Sequence, residues 1–319
     1  MMFAVRQQSA ATFFVIVAWL LLSGSLRAQA QGDAPSPQAE IKLNALVLDK
    51  DGRVLADVRQ EDLQLTDNGE PQTILSLEKD TRPLRIALIV DNTGSLRTQF
   101  REVIEAVKTI INTKAPTDEI ALVRFVDSEH INILQDFTAD KSVLLDAVKY
   151  LVIDKGQSAV IDAVYLTAFK LATGWTPKTQ RAAIVLITDG EDRSSYYKPD
   201  DLLKVLRDMG IQVFTVGLPG ELDKEGGFVR KSPRALAEEL LTKLAERTGG
   251  RTLFTKSTKD LPPVIEQLLS SLRTQFLIGY TLNPKPKSGS YRQVKVKLTD
   301  ATKRDKRVVI TRPGYLSPR

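Results

Sequence analysis

The chain has 319 residues, 42% of them hydrophobic and 26% charged, a balance that suits a globular protein with a sizeable core. It holds no cysteine and a single histidine, His130. That excludes disulfides, thiolate metal sites and cysteine nucleophiles, and argues against an imidazole-ligated metal cluster or a Ser-His-Asp triad. The net charge of +6 is modest, and its densest clusters (Lys303 to Arg307, and Lys285 with Lys287) come without an aromatic platform, so they are read as solvated turns and no nucleic-acid partner is expected.

Arg6, an apolar run from Ala10 to Leu22 broken by Thr12, and Ala28-Gln29-Ala30 together predict a cleaved secretory signal over residues 1–30, cut after Ala30. The apolar run is shorter than the roughly 20 residues a membrane span needs. An uncleaved N-terminal anchor is the alternative. Residues 31–40, with Gly32, Pro35 and Pro37, read as a flexible leader. No later segment is apolar enough to cross a bilayer, so the mature chain is expected to be secreted or periplasmic, with no membrane span.

Residues 41–81 alternate and turn often. Ile41, Leu43, Ala45 and Val47 form a period-two strand, Leu63 with Leu65 and Ile74 with Leu77 suggest more, and Asp49 to Gly52 and Asp67-Asn68-Gly69 read as hairpin turns. The far end, residues 274–319, repeats this character. Phe276 to Tyr280 is strand-like, Val294, Val296 and Leu298 alternate with lysines, and Val308 to Ile310 precede Arg312-Pro313-Gly314-Tyr315. Neither end has enough strands to cover itself. The two are predicted to pair into a small β-sandwich module, with residues 82–273 inserted between them.

Within the insertion, strands and helices alternate. Leu84 to Val90 is a short apolar run rich in β-branched residues, as in a strand buried on both faces. Helical patterns follow at Phe100 to Ile111, Val143 to Leu151, Ala159 to Ala172, Leu202 to Met209, Leu236 to Arg247 and, after Pro262-Pro263, Val264 to Leu272. Between them lie strand-like runs at Glu119 to Val126, Ala182 to Thr188 and Ile211 to Val216, and a less apolar one, Ile131 to Phe137, expected at a sheet edge. This order predicts an α/β fold, a doubly wound and mostly parallel sheet with helices on both faces.

Three segments of this insertion carry chemistry. Asp91, Thr93 and Ser95 follow the first buried strand, Gly156-Gln157-Ser158-Ala159 precedes a helix, and Asp189 follows the strand that ends at Thr188. In an open α/β sheet that strand edge is where ligands bind. Carboxylates and hydroxyls are hard oxygen donors, suited to Mg²⁺ or Mn²⁺. The competing account of Asp91, Thr93 and Ser95 is an ordinary helix N-cap, and Ser158 is likewise expected to cap the helix after it, with its hydroxyl able to turn inward. Glu191 and Asp192 are read as a solvated acidic turn neutralising Arg193, and His130 as a surface or packing residue.

These segments, in this order, resemble the von Willebrand factor A domain and its metal-ion-dependent adhesion site. That family carries Asp-x-Ser-x-Ser after the first strand, a Thr on a later loop and an Asp after the fourth strand. Here Asp91-Asn92-Thr93-Gly94-Ser95 has Thr93 at the middle position and Ser158 stands where the Thr is usual, so both departures keep a hydroxyl. The flanking β module and Arg312-Pro313-Gly314-Tyr315 resemble a bacterial exported group, the VWFA-related family. The resemblance implies Mg²⁺ (or Mn²⁺ or Ca²⁺) held by Asp91, Thr93, Ser95, Ser158 and Asp189. It also implies an exported, adhesion-type protein-binding module that is not an enzyme, with a partner protein whose Asp or Glu carboxylate completes the metal shell. The alternatives are a structural module with an idle site and a metal-assisted hydrolase using Asp91, Asp189 and Glu191.

Overall fold

A computed structural model describes residues 40–222, 225, 231–255, 257–282, 287–299 and 306–317. The export signal, the leader, Lys285 and residues 303–305 of the basic cluster lie outside the described residues. Among those described, no helix is long and apolar enough to cross a membrane.

The chain builds three sheets. The central one has six strands in the order β10-β9-β8-β5-β6-β7, formed by β5 (Leu84–Asp91), β6 (Glu119–Phe125), β7 (Ile131–Thr138), β8 (Arg181–Thr188), β9 (Gln212–Gly217) and β10 (Thr252–Phe254). All pairings are parallel except β6 with β7, which makes the polar strand β7 the antiparallel edge. The order turns about β5: the next strand in sequence lies to one side and β8 to the other, so the crest above β5 and β8 is the crevice of a doubly wound sheet.

The two central strands are buried along their whole length. Alternate residues serve opposite faces. Ile86, Leu88 and Val90 of β5 pack with α1 (Phe100–Thr113) and α6 (Leu261–Arg273). Ala87 and Ile89 pack with α3 (Val160–Ala172), α4 (Pro199–Met209) and α5 (Pro233–Thr248). The remaining helix, α2 (Lys141–Ala147), adds Leu144 to the first face. Pro262 and Pro263 do not precede α6 as a boundary but sit in its first turn, where a missing N–H costs nothing.

The flanks form two four-stranded antiparallel sheets. One runs β13-β1-β11-β4 and the other β14-β12-β2-β3, from β1 (Glu40–Leu48), β2 (Leu63–Asp67), β3 (Glu70–Gln72), β4 (Ile74–Lys79), β11 (Phe276–Thr281), β12 (Tyr291–Leu298), β13 (Val308–Thr311) and β14 (Gly314–Leu316). Each sheet takes strands from both ends of the chain, so neither end can fold without the other. Leu43, Leu65, Ile278 and Val296 meet in one shared core between the sheets. The β2–β3 hairpin has the predicted turn, with Asn68 and Gly69 at φ 51° and 88°. The Asp49 to Gly52 turn also forms, but only an isolated bridge, Leu48 to Val54, follows it instead of a strand. At the end of β2, Asp67 is fully buried and accepts the hydroxyls of Tyr280 and Tyr315, each at 2.8 Å, and Nε of Arg292.

Candidate functional site

The register of the central sheet builds the site. β5 and β8 run in parallel with Val90 opposite Ile187, which puts Asp91 beside Thr188 at the crest, both on the face that carries α3. Thr188 Oγ1 donates to Asp91 Oδ2 at 2.6 Å. The other carboxylate oxygen of Asp91 accepts Thr93 N at 2.9 Å and Thr93 Oγ1 at 2.7 Å. Thr93 Oγ1 lies 2.9 Å from Ser95 Oγ, and the Ser95 hydroxyl in turn lies beside Asp189 and favours its charged form. Asp91, Thr93, Ser95 and Asp189 are therefore one connected cluster of oxygens.

None of them caps a helix. After Asp91 the chain makes a 3-10 turn over Gly94–Leu96, and α1 starts at Phe100 behind Gln99, which itself makes no side-chain cap. The N-cap account of this loop is thereby set aside. Ser158 also departs from expectation. The residue at the cap position of α3 is Ala159, and the first amides of α3 are taken by the following loop: Ile161 N donates to Asp192 Oδ1 at 3.1 Å, and Asp162 N to Ser195 Oγ at 3.2 Å. Asp192 is thus half-buried and bonded, not a solvated acid. Glu191 does pair with Arg193, as expected. His130 is exposed and bonds Asp127 across 2.7 Å.

Because Asp192 supplies the cap, Ser158 Oγ is released from that duty. It is buried and, among the described residues, has no hydrogen-bond partner; nor does Asp189 Oδ2. Two further contacts fix the loop that carries Ser158. Asn92 Nδ2 donates to Val152 O at 2.7 Å, and Ser158 O accepts the amides of Arg193 and Ser194 at 2.8 and 3.1 Å. Asp162, buried at the start of α3, accepts the amides of Tyr196 and Tyr197 and ties down the loop after Asp189. Gly190 has φ 85°, and a Cβ there would fall 2.8 Å from Leu241 Cδ1, so the turn is open to glycine alone.

The electrostatics are those of a site short of positive charge. Asp91 is pushed up to about 7, first by burial and then by the charge of Asp189, against the opposing hydrogen bonds from Thr188 and Thr93. Burial also raises Asp189 above the usual carboxylate range. Among the described residues no three His, Cys, Asp or Glu side chains converge on one point, so a cation here would rest on hydroxyls as much as on carboxylates. Unpartnered, buried hydroxyl and carboxylate oxygens beside a second buried carboxylate fit a hard divalent cation. Thr188 and Asn92 are the site residues that sequence patterns pass over. The signal for Thr188 is a hydroxyl closing an otherwise apolar strand, in register with the acid of its neighbour.

The family model of the von Willebrand factor type A domain matches residues 86–267, more than half of the chain. The chain belongs to this family. Among solved structures, this von Willebrand factor type A protein is similar to an aerotolerance-related membrane protein from Bacteroides fragilis, at 19% identity over 58% of this chain and 98% of that one, TM-score 0.44. It is similar to the von Willebrand factor type A protein from Catenulispora acidiphila, at 15% identity over 82% and 74%, TM-score 0.47. It is also similar to proximal thread matrix protein 1 from the mussel byssus, a structure with a zinc-occupied MIDAS motif, at 16% identity over 63% and 48%, TM-score 0.49. No match was found among the curated proteins.

Proposed function

We propose that this chain is an exported, divalent-metal-dependent protein-binding module of the adhesion type, and that it is not an enzyme. Asp91, Thr93, Ser95, Ser158 and Asp189 would hold the cation, with Mg²⁺ first among candidates, Mn²⁺ and Ca²⁺ behind it. The observation that carries the proposal is the pair of buried oxygens, Ser158 Oγ and Asp189 Oδ2, that have no partner among the described residues. Leaving such groups unmatched is costly unless something binds them.

The residues divide the work. Thr188 and Thr93 hold Asp91 in one orientation through both carboxylate oxygens. Asn92 and Asp192 hold the Ser158 loop against the crest. When bound, the cation supplies Lewis acidity and one position at which an incoming carboxylate can replace water. Neutral hydroxyls in the donor set leave part of the positive charge uncompensated, which favours an Asp or Glu from a partner protein. Tyr196, which is 84% exposed on the loop after Asp189, offers contact area beside that position. Export is proposed from the signal over residues 1–30.

The test is thermal unfolding of the full chain with Mg²⁺, Mn²⁺ or Ca²⁺ against EDTA, followed by partner capture from an envelope fraction under the same two conditions. We expect a metal-dependent rise in Tm that Asp189→Ala removes, and partners recovered with metal and lost with EDTA. Recovery of the same proteins in both samples would overturn the metal-bridged mode of binding.

A further inference from the structure

A second polar site lies at the other end of the central sheet. Arg181 opens β8, Gln212 opens β9 and Arg82 precedes β5, and all three line a cavity of about 710 Å³ that also reaches the flanking strands at Lys42, Arg312 and Tyr315. Six cations line it: Lys42, Arg82, Lys178, Arg181, Arg207 and Arg312. Its acids are Glu40 and Asp208, and each is already paired, with Lys42 at 3.7 Å and Arg207 at 2.9 Å. Asp80, just outside, is held twice by Arg82, at 2.8 and 2.6 Å, and lies 3.8 Å from Arg181 Nε. Among the described residues Lys178 and Arg312 have no carboxylate within ion-pair distance.

Two guanidinium groups of the cavity, one buried and one half-buried, are under-used. Arg181 is 5% exposed; Nη2 donates to Leu272 O, while Nε and Nη1 have no hydrogen-bond partner among the described residues. Arg312 belongs to the Arg-Pro-Gly-Tyr segment, for which the crest site has no use. Its Nη2 donates to Lys42 O at 3.3 Å, and its buried Nε is likewise unpartnered. The segment is seated firmly: Gly249, in the left-handed conformation at the end of α5, lies so close that a Cβ there would fall 2.5 Å from Arg312 N. Burial lowers both guanidinium groups, Arg181 to about 10, which leaves Arg181 charged at neutral pH. A guanidinium fork matches the oxygens of a carboxylate or phosphate.

We propose that this cavity binds a small polyanion, a ligand carrying phosphate or carboxylate oxygens, with buried Arg181 and half-buried Arg312 as its anchors and Lys178 at the exposed rim. Binding here is separate from the crest, because Asp91 and Asp189 stand at the opposite ends of the same strands. The ligand would touch the central domain and the flanking sheets at once, through Arg181 on one side and Arg312 on the other.

Trp175 lines the cavity, and with the other tryptophan, Trp19, replaced by Phe, tryptophan fluorescence reports on the site. The full chain is titrated with inorganic phosphate, pyrophosphate and citrate in buffer freed of metal by a chelating resin, at constant ionic strength, with chloride as control. We expect saturable 1:1 binding of at least one of the multivalent anions, and the ranking of pyrophosphate against citrate tells phosphate from carboxylate. Arg312→Gln should weaken it at least tenfold, and Asp189→Ala should leave it unchanged. Lys178→Glu, a surface change that spares the core, should weaken it at least threefold, so the test stands even if Arg181 and Arg312 variants fail to fold. Absence of saturable binding for all three anions, or binding indifferent to Lys178→Glu and Arg312→Gln, overturns the proposal.

Discussion

Two buried carboxylate centres can be set side by side. In the flanking sandwich, Asp67 is saturated: two tyrosine hydroxyls and a guanidinium take up its oxygens, and the residues that donate come from β11, β12 and β14. At the crest of the central sheet, Asp91 takes the hydroxyls of Thr93 and Thr188, while Asp189 Oδ2 and the nearby Ser158 Oγ are unpartnered among the described residues. Both centres are equally inaccessible to water. The difference is that one carboxylate closes a structure, whereas at the other centre an oxygen of Asp189 is left unmatched by the described residues, where the proposed cation would meet it. A buried charge is expensive in either case. The sandwich meets that cost with its own residues, and the crest defers it.

The comparison is broken most easily at Asp67. Asp67→Ala strands two tyrosine hydroxyls and Arg292 in the core between the sheets, and breaking a buried charge pair of this kind costs about 3 to 5 kcal/mol. Urea unfolding should show that loss in full, with or without Mg²⁺, because the centre lies outside the proposed metal site. A cost below about 1 kcal/mol, or one that metal restores, would show that the two centres are not different in kind. Burial pushes the Tyr315 hydroxyl up to about 12, so this centre should carry no pH dependence of its own from that group near neutrality.

The crest should behave in the opposite way. Asp91 has an ordinary value of 3.8 in the unfolded chain and about 7 in the fold, so the metal-free folded state binds its proton more tightly than the unfolded one. Its contribution to stability is complete below about 3.8 and is lost as pH rises through 7. Metal-free protein should therefore lose on the order of a few kcal/mol between pH 4 and pH 8 through this group. Asp91→Asn, which mimics the protonated form, should flatten that slope and be more stable than the parent at pH 8 in EDTA. The same variant should gain little from Mg²⁺, whereas the parent should gain about 2.7 kcal/mol at a metal concentration a hundred times its Kd. Parallel pH–stability curves for parent and variant in EDTA would remove the electrostatic basis of the site.

How much of this was legible before the structure follows from what each residue's neighbours are. The alternation of strands and helices and the apolar runs of β5 and β8 depend on local patterning, and they fold as the patterns imply. The pairing of the two flanks was legible because neither can bury its own face. β10 is three residues long and carries too short a pattern to be seen. Thr188 and Asn92 enter the site through register and loop docking, which are relations between distant segments. Ser158 and Asp192 illustrate the same limit in sharper form. A serine before a helix looks like a cap, and an acid in a run of acids looks solvated. Only the docking of the 189–197 loop onto the start of α3 exchanges their roles.

That exchange gives the smallest and most specific test. Asp192 accepts Ile161 N and Ser195 Oγ, and removing a cap of this sort costs about 1 kcal/mol. In Asp192→Ala the Ile161 amide at the start of α3 loses its acceptor, and Ser158, the nearest hydroxyl in sequence, becomes the available replacement. Its Oγ would turn from the crest to the helix, so Asp192→Ala should weaken Mg²⁺ binding by about as much as Ser158→Ala, roughly fivefold if one hydroxyl contributes about 1 kcal/mol. The double variant should then be no worse for metal than either single one, a non-additivity that calorimetric titration can read directly. Additive losses would mean that Asp192 acts on the metal by some route other than freeing Ser158. An unchanged affinity in Asp192→Ala would mean that the orphaned serine at the crest is not held there by the cap it has been spared.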